Sequence, residues 1–258
     1  MSRRLLPVVV VLGAALVLAS ACSGSSSGAS SPSGSAPSGA VPSGSAASAA
    51  QPPPQGALAG NQVENQAKAA FQGASAVHIN GTLTSQSGTL TMDLQLNKDN
   101  TATGSISEGG ATIPLLSVGG KYYVRFTPAV ITAAGSAATS VGPALTNKWV
   151  PSTSKLASGM VDSLKGLLSY NDFLTTMFGQ PSGEVPKATT TDVVDNTPVI
   201  VYEASSGSAV YLAKSNPHFL MRMTAPSSGS GQIDFTNWNK PVPVHAPTAA
   251  QIYSGPAA

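Results

Sequence analysis

The cleanest pattern in the chain is Leu90, Met92, Leu94 and Leu96 alternating with Thr91, Asp93 and Gln95. A period of two predicts a strand with one buried face and one wet face. Val77, Ile79 and Leu83 alternate in the same way with His78, Asn80 and Thr82, and Gln86-Ser87-Gly88 reads as the turn between the two strands. Further strands are predicted at 101–107, 111–118 and 121–127, with Glu108-Gly109-Gly110 and Gly119-Gly120 as turns. Sequential, closely spaced strands default to an antiparallel meander. A second block is predicted at 191–195, 199–203, 209–213, 219–224 and 232–236, with turns at Asn196-Thr197-Pro198, Ser205-Ser206-Gly207 and Ser228-Gly229-Ser230.

Helical periodicity occupies the gaps. Val63, Ala67, Ala70 and Phe71 share one helical face, with Asn61 and Glu64 at capping-box spacing and Gly73 as the stop. Leu156, Met160, Leu164, Leu167 and Leu168 predict a longer helix starting at Ser154, and a further turn carries Phe173, Leu174, Met177 and Phe178 up to Gly179. Residues 128–147 are rich in Ala, Ser, Gly and Thr and read as a long mobile connection, with one short helix as an option. Trp149 and Val150 add a short strand, and the prolines from Pro241 to Pro247 extend the tail. Strands, helices, then strands predict an α+β fold: a large curved antiparallel sheet of about ten strands, a half-barrel wrapped around a few helices. Apolar helix faces pack on its inner surface, and Thr, Ser and Asn line the solvent side.

The N-terminus changes the picture from domain to compartment. Met1-Ser2-Arg3-Arg4 is basic, residues 5–18 are apolar, and Ala19-Ser20-Ala21 are small, as in a secretory signal over residues 1–21. The apolar run is shorter than the roughly 20 residues of a membrane-spanning helix. Cys22 follows at once and is the single cysteine of the chain. The pattern resembles a bacterial lipobox, which implies a diacylglycerol on the Cys22 sulfur, cleavage before it, and a lipid anchor on the outer face of the cell membrane. The lone cysteine leaves no partner for a disulfide. Residues 22–60 then form an almost wholly Ser/Gly/Ala/Pro stretch without charge, predicted to be a disordered tether. Residues 61–258 are expected to be one domain.

The 13 Lys and Arg and 11 Asp and Glu are nearly balanced, and removal of Arg3 and Arg4 leaves 11 of each. No basic stripe occurs, so nucleic acid is excluded as an expected partner. Nor do the candidates for catalysis assemble. His78, His218 and His245 show no ligand spacing, and Gly24-Ser25-Ser26-Ser27-Gly28 matches a nucleophile elbow but sits in the tether. Ser152-Thr153-Ser154-Lys155 and Ser169-Tyr170-Asn171 match two penicillin-binding motifs without the third. The ordinary reading is a serine N-cap beside a solvated lysine. The expectation is a binding protein without enzyme activity, cofactor or metal.

The order and spacing of several segments resemble the LppX/LprG-type lipoprotein family known from mycobacteria. These are the lipobox at Cys22, the opening helix leading into Ala76-Val77-His78-Ile79-Asn80-Gly81-Thr82, the run Val118 to Val124, and Phe235-Thr236-Asn237-Trp238-Asn239-Lys240-Pro241-Val242. The resemblance implies a half-barrel wrapped around helices, like bacterial lipoprotein carriers, with an acylated lipid held between sheet and helices. The inward strand residues that would line such a space are Leu94, Leu96, Ile106, Ile113, Leu115, Val124 and Phe126. Met160, Leu164 and Leu168 would face them from the helix, and Val130 and Ile131 would close over the acyl chain as a gate. An apolar wall reads the same whether side chains or acyl tails fill it, so a packed core and a lipid cavity are both open at this point. An anchored interaction module that docks an envelope partner is the alternative function.

Overall fold

A computed structural model describes residues 52–85, 88–178, 185–226 and 228–255. The signal, Cys22, most of the tether, Gln86-Ser87 and Gly179 lie outside the described residues. Eleven strands form one antiparallel sheet in the order β6-β5-β4-β3-β2-β1-β11-β10-β9-β8-β7. The first block is β1 (Ala76–Ser85), β2 (Gly88–Asn97), β3 (Ala102–Glu108), β4 (Ala111–Val118) and β5 (Lys121–Phe126), followed by β6 (Lys148–Pro151). The second is β7 (Lys187–Val194), β8 (Thr197–Glu203), β9 (Ala209–Ala213), β10 (Leu220–Thr224) and β11 (Ser230–Thr236). Pairing of β1 with β11 joins the two meanders, Ile79 facing Phe235.

The predicted alternation sets the register. Ile79 pairs with Leu94, Leu94 with Gly104, Gly104 with Leu115, and Leu115 with Val124. These positions share the inner face, and every side chain among them is fully buried. Glycine interrupts the inner face at Gly81 and Gly104, where φ is +155° and +148°. A Cβ on Gly104 would lie 2.0 Å from the Asp93 carbonyl oxygen, and one on Gly81 would lie 2.1 Å from that of Gln232. Strands bend most where no side chain intervenes, so these two positions bring neighbouring backbone close in the centre of the sheet.

Helices fill the concave side. α1 (Gly60–Gly73) buries Val63, Ala67, Ala70 and Phe71, the four residues its periodicity selects. It starts at Gly60 after Ala59 rather than at the Asn61–Glu64 box, and Glu64 pairs instead with Lys68 one turn on. Order also begins before residue 61: the Leu58 N–H donates to the Tyr202 hydroxyl at 2.8 Å. The connection between β5 and β6 is not a loop but three short helices, α2 (Pro128–Ala133), α3 (Ser136–Ser140) and α4 (Gly142–Leu145). Thr127 caps α2 by accepting the Val130 N–H, and Pro128 occupies the first turn. α5 (Ser158–Leu168) begins four residues later than the apolar spacing suggests, because the Ser154 carbonyl closes turns onto Ala157 and Ser158. α6 (Tyr170–Phe178) follows after one residue, Ser169, whose hydroxyl accepts the Asp172 N–H.

Candidate functional site

Ten of the twelve predicted lining residues come together as buried members of one apolar cluster between sheet and helices. Leu94, Leu96, Ile106, Leu115, Val124 and Phe126 enter it from β2 to β5, Val130 and Ile131 from α2, and Leu164 and Leu168 from α5. The other two expected lining residues, Ile113 and Met160, also pack on this cluster but are half-exposed. For Ile113 the reason is its position at one end of the sheet. Strand directions place the β1–β2, β3–β4, β8–β9 and β10–β11 connections at a common upper end, and the β2–β3, β4–β5, β7–β8 and β9–β10 connections at the lower end. Ile113 lies near the upper end, as do Leu83, Leu90 and Met223, all of them half-exposed and packed on the cluster.

The lower end is sealed by aromatic rings. Phe71 at the end of α1 meets Tyr170 at 4.5 Å, Phe173 at 5.9 Å and Trp238 at 5.5 Å between centroids. Trp238 stacks in turn on Phe219 at 4.6 Å and donates its indole N–H to the Leu220 carbonyl. Edge-to-face and offset rings add to their area burial, so this floor is the more firmly closed end. Phe219 and Trp238 also cover a second, smaller cluster of Val194, Val199, Ala213 and Met221.

The interior between rim and floor is filled. Leu94, Leu96, Leu115, Val124 and Phe126 are each 0% exposed, so no water-sized space touches them. Its polar groups are satisfied. The Tyr170 hydroxyl donates towards the Phe71 and Ala74 carbonyls, at 2.6 and 3.0 Å, and burial pushes its phenol up to about 12. Burial also raises Tyr202, against the opposing effect of the Leu58 N–H on its oxygen. Among the described residues the space between sheet and helices therefore presents hydrocarbon, its two phenol hydroxyls being engaged with backbone.

The other candidates are dispersed. His78 sits on the outer face with Nε2 2.8 Å from an Asp93 carboxylate oxygen and Nδ1 3.2 Å from the Thr236 hydroxyl. His218 donates Nδ1–H to the Ala213 carbonyl at 2.9 Å in a turn, and His245 is exposed in the tail. Ser154 accepts the Leu156 N–H, Ser169 caps α6, and Lys155 is exposed, so the two serine motifs serve the backbone. Among the described residues no His, Cys, Asp and Glu group is placed to hold a metal ion. Cys22 lies outside them.

Sequence reasoning missed two features. One is the extent of the helical cover, three short helices (α2 to α4) where one at most was expected, whose Val130, Ala138 and Leu145 are buried in the cluster. The Thr127-Pro128 pair was the available signal. The other is Asn97, an outward strand residue that is 4% exposed. Its amide donates to the Val242 carbonyl at 2.7 Å and accepts the Val242 N–H at 3.2 Å. Nothing local in the sequence announces that pairing.

No family model matches the chain, and no curated protein matches it. Among solved structures it is similar to LprF from Mycobacterium bovis, at 16% identity and a TM-score of 0.46, over 74% of this chain and 97% of that one. LprF is an LppX/LprG-type lipoprotein, the kind the sequence pattern resembles. The Pseudomonas aeruginosa MucA/MucB complex is similar at 12% identity and a TM-score of 0.36, over 76% of this chain and 61% of that one. A LolA superfamily protein from Nitrosomonas europaea is similar at 11% identity and a TM-score of 0.25, over 77% of this chain and 99% of that one. Likenesses of this strength carry no functional argument, which rests on the residues of the chain itself. Among the described residues no helix is long and apolar enough to cross a membrane.

Proposed function

We propose that this chain is a lipoprotein, anchored through lipid on Cys22 to the outer face of the cell membrane, whose domain binds or carries an acylated lipid in the envelope. The observation that carries the reading is the asymmetry of the apolar interior. Aromatic rings close one end, whereas Leu83, Leu90, Ile113 and Met223 leave a half-exposed aliphatic rim packed on the same cluster. Exchange of hydrocarbon for hydrocarbon there unpairs no buried polar side chain among the described residues, so its cost is the withdrawal of apolar side chains alone. The cover of α2 to α4 is the layer an entering chain displaces. Its helices are short, so little internal hydrogen bonding opposes the movement. The domain is assigned a binding role rather than a catalytic one.

The filled interior favours a second reading, an anchored interaction module that uses the same scaffold without a ligand. Native mass spectrometry of protein purified with its own envelope lipids separates the two. Adducts with the mass of an acylated lipid, lost when Leu115 is replaced by Asp, support the carrier. A spectrum of bare protein after incubation with such lipids overturns it.

A further inference from the structure

The C-terminal segment beyond β11 does more than end the chain. It is fixed at two places on opposite parts of the first meander. At β2 the buried Asn97 amide holds both backbone groups of Val242, and Gln95 reaches the Lys240 carbonyl at 3.5 Å. At β6 Ile252 forms a parallel bridge with Trp149, the Tyr253 N–H donates to the Trp149 carbonyl at 2.9 Å, and Lys148 donates to the Ala250 carbonyl at 2.6 Å. β3, β4 and β5 lie between those points in the sheet. Four strand spacings of about 4.8 Å make roughly 19 Å, within reach of the extended residues 242–252. Along that path Leu116 and Tyr123 point to the outer face, yet they are only 6% and 5% exposed. Together with the outward Gln95 and Asn97, also buried, they mark the track of a strap across the back of the sheet.

β6 is the element this strap backs. It has four residues, it is the edge of the sheet, and its partner on one side is β5. It also follows directly on the helical cover: α4 ends at Leu145, and the Asn147 N–H donates to the Phe126 carbonyl at 2.7 Å. Because the cover runs straight into β6, an opening that carries β6 away from β5 or along it breaks the Ile252–Trp149 pairing. We propose that the C-terminal strap is a latch on the cover of the apolar interior, pinned by Asn97 and released at Trp149, so that the state of the tail sets how readily α2 to α4 open. The latch holds whichever ligand, or none, uses the interior.

Hydrogen exchange on the full-length protein, and on a chain ended after Pro247, tests it without any lipid. Loss of residues 248–258 should raise exchange in β6 and in 128–145 by tenfold or more, with β8 and β9 unchanged. Lys148→Met, which removes one link and leaves the chain intact, should give a smaller increase in the same peptides. Unchanged exchange in 128–145 after truncation overturns the latch. So does an equal rise in β8 and β9, because the tail would then only support the whole fold. If the shortened chain does not fold, the proposal stands or falls on Lys148→Met and Ile252→Gly, which must both raise exchange in 128–151 and nowhere in β8 or β9.

Discussion

Tyr170→Phe isolates one hydroxyl at the closed end of the interior. The ring stays, so its 4.5 Å contact with Phe71 is retained. What goes is the donor shared by the Phe71 and Ala74 carbonyls at the end of α1. Phe71 keeps a bond from the Ala74 N–H, whereas the Ala74 carbonyl loses its side-chain donor in a place where Ala74 is 1% exposed. A buried acceptor left without a donor costs about 1–3 kcal/mol, so roughly 2 kcal/mol is expected at neutral pH. Urea slopes of about 1–3 kcal/mol per molar make this a fall in midpoint of roughly 1 M. The same hydroxyl predicts a pH dependence. Its folded value of about 12 lies above the unfolded value near 10. The folded state therefore holds the proton more tightly, and stability is complete below pH 10 and falls as pH rises towards 12. At pH 11 the wild type should have lost about 1.4 kcal/mol through this group, and the phenylalanine variant none. Burial of Tyr202 acts in the same direction in both proteins and cancels in the comparison. Urea titrations at pH 7, 9 and 11 should therefore show a gap that narrows with pH. Equal midpoints at pH 7, or a gap that stays constant to pH 11, refute the reasoning.

Other expectations follow from the same interior. Leu115→Ala, at a fully buried position facing Gly104 and Val124, should cost about 2–5 kcal/mol in a urea titration. Gly104→Val should abolish the folded state in far-ultraviolet dichroism, because its Cβ would stand 2.0 Å from the Asp93 carbonyl oxygen. Cys22→Ala should yield protein that no longer partitions into the detergent phase, and a processed variant that still did so would contradict the anchor.

What could be read from the sequence was decided by periodicity. β2 and β1 were legible because alternation is strict and the pleat forces it onto one face. The same alternation placed Leu94, Leu96, Leu115 and Val124 inside, and that is where they lie. α1 was legible by face but not by start, because Asn61 offers a capping side chain that the helix does not use. The cover was misread because Ala, Ser and Gly bury little area and carry a weak periodic signal. Thr127 and Pro128 marked its first turn, and burial of Val130 and Leu145 supplies the rest through tertiary contact. Ile113 takes the predicted face but stays half-exposed, because alternation says which face a strand residue takes, not how far along the strand the covering layer extends. The strap was illegible because Asn97 and Val242 are separated by 145 residues, and Pro241 to Pro247 show extension without a partner.

A filled interior and a carrier role are compatible once their energies are compared. To admit a chain at the upper rim, the cover has to withdraw side chains such as Val130, Ile131 and Leu145 from the cluster. At about 2 kcal/mol for each side chain, that opening costs roughly 6 kcal/mol. Each methylene of an entering chain contributes about 0.8 kcal/mol on burial, so about eight methylenes offset the opening. Shorter chains should leave the cover closed. Beyond that length each further methylene strengthens binding about fourfold, since 0.8 kcal/mol exceeds RT at 25 °C. The gain ends where the chain meets the ring of Phe71 and its aromatic neighbours. From Leu83 near the rim to Val77 near the floor is six strand residues, roughly 20 Å. If the proposed carrier role holds, the interior would select by length rather than by headgroup, because among the described residues its lining is apolar, and the latch would add to the opening cost without changing the gain per methylene. Selectivity that rises with chain length and then levels off is the behaviour this arrangement produces.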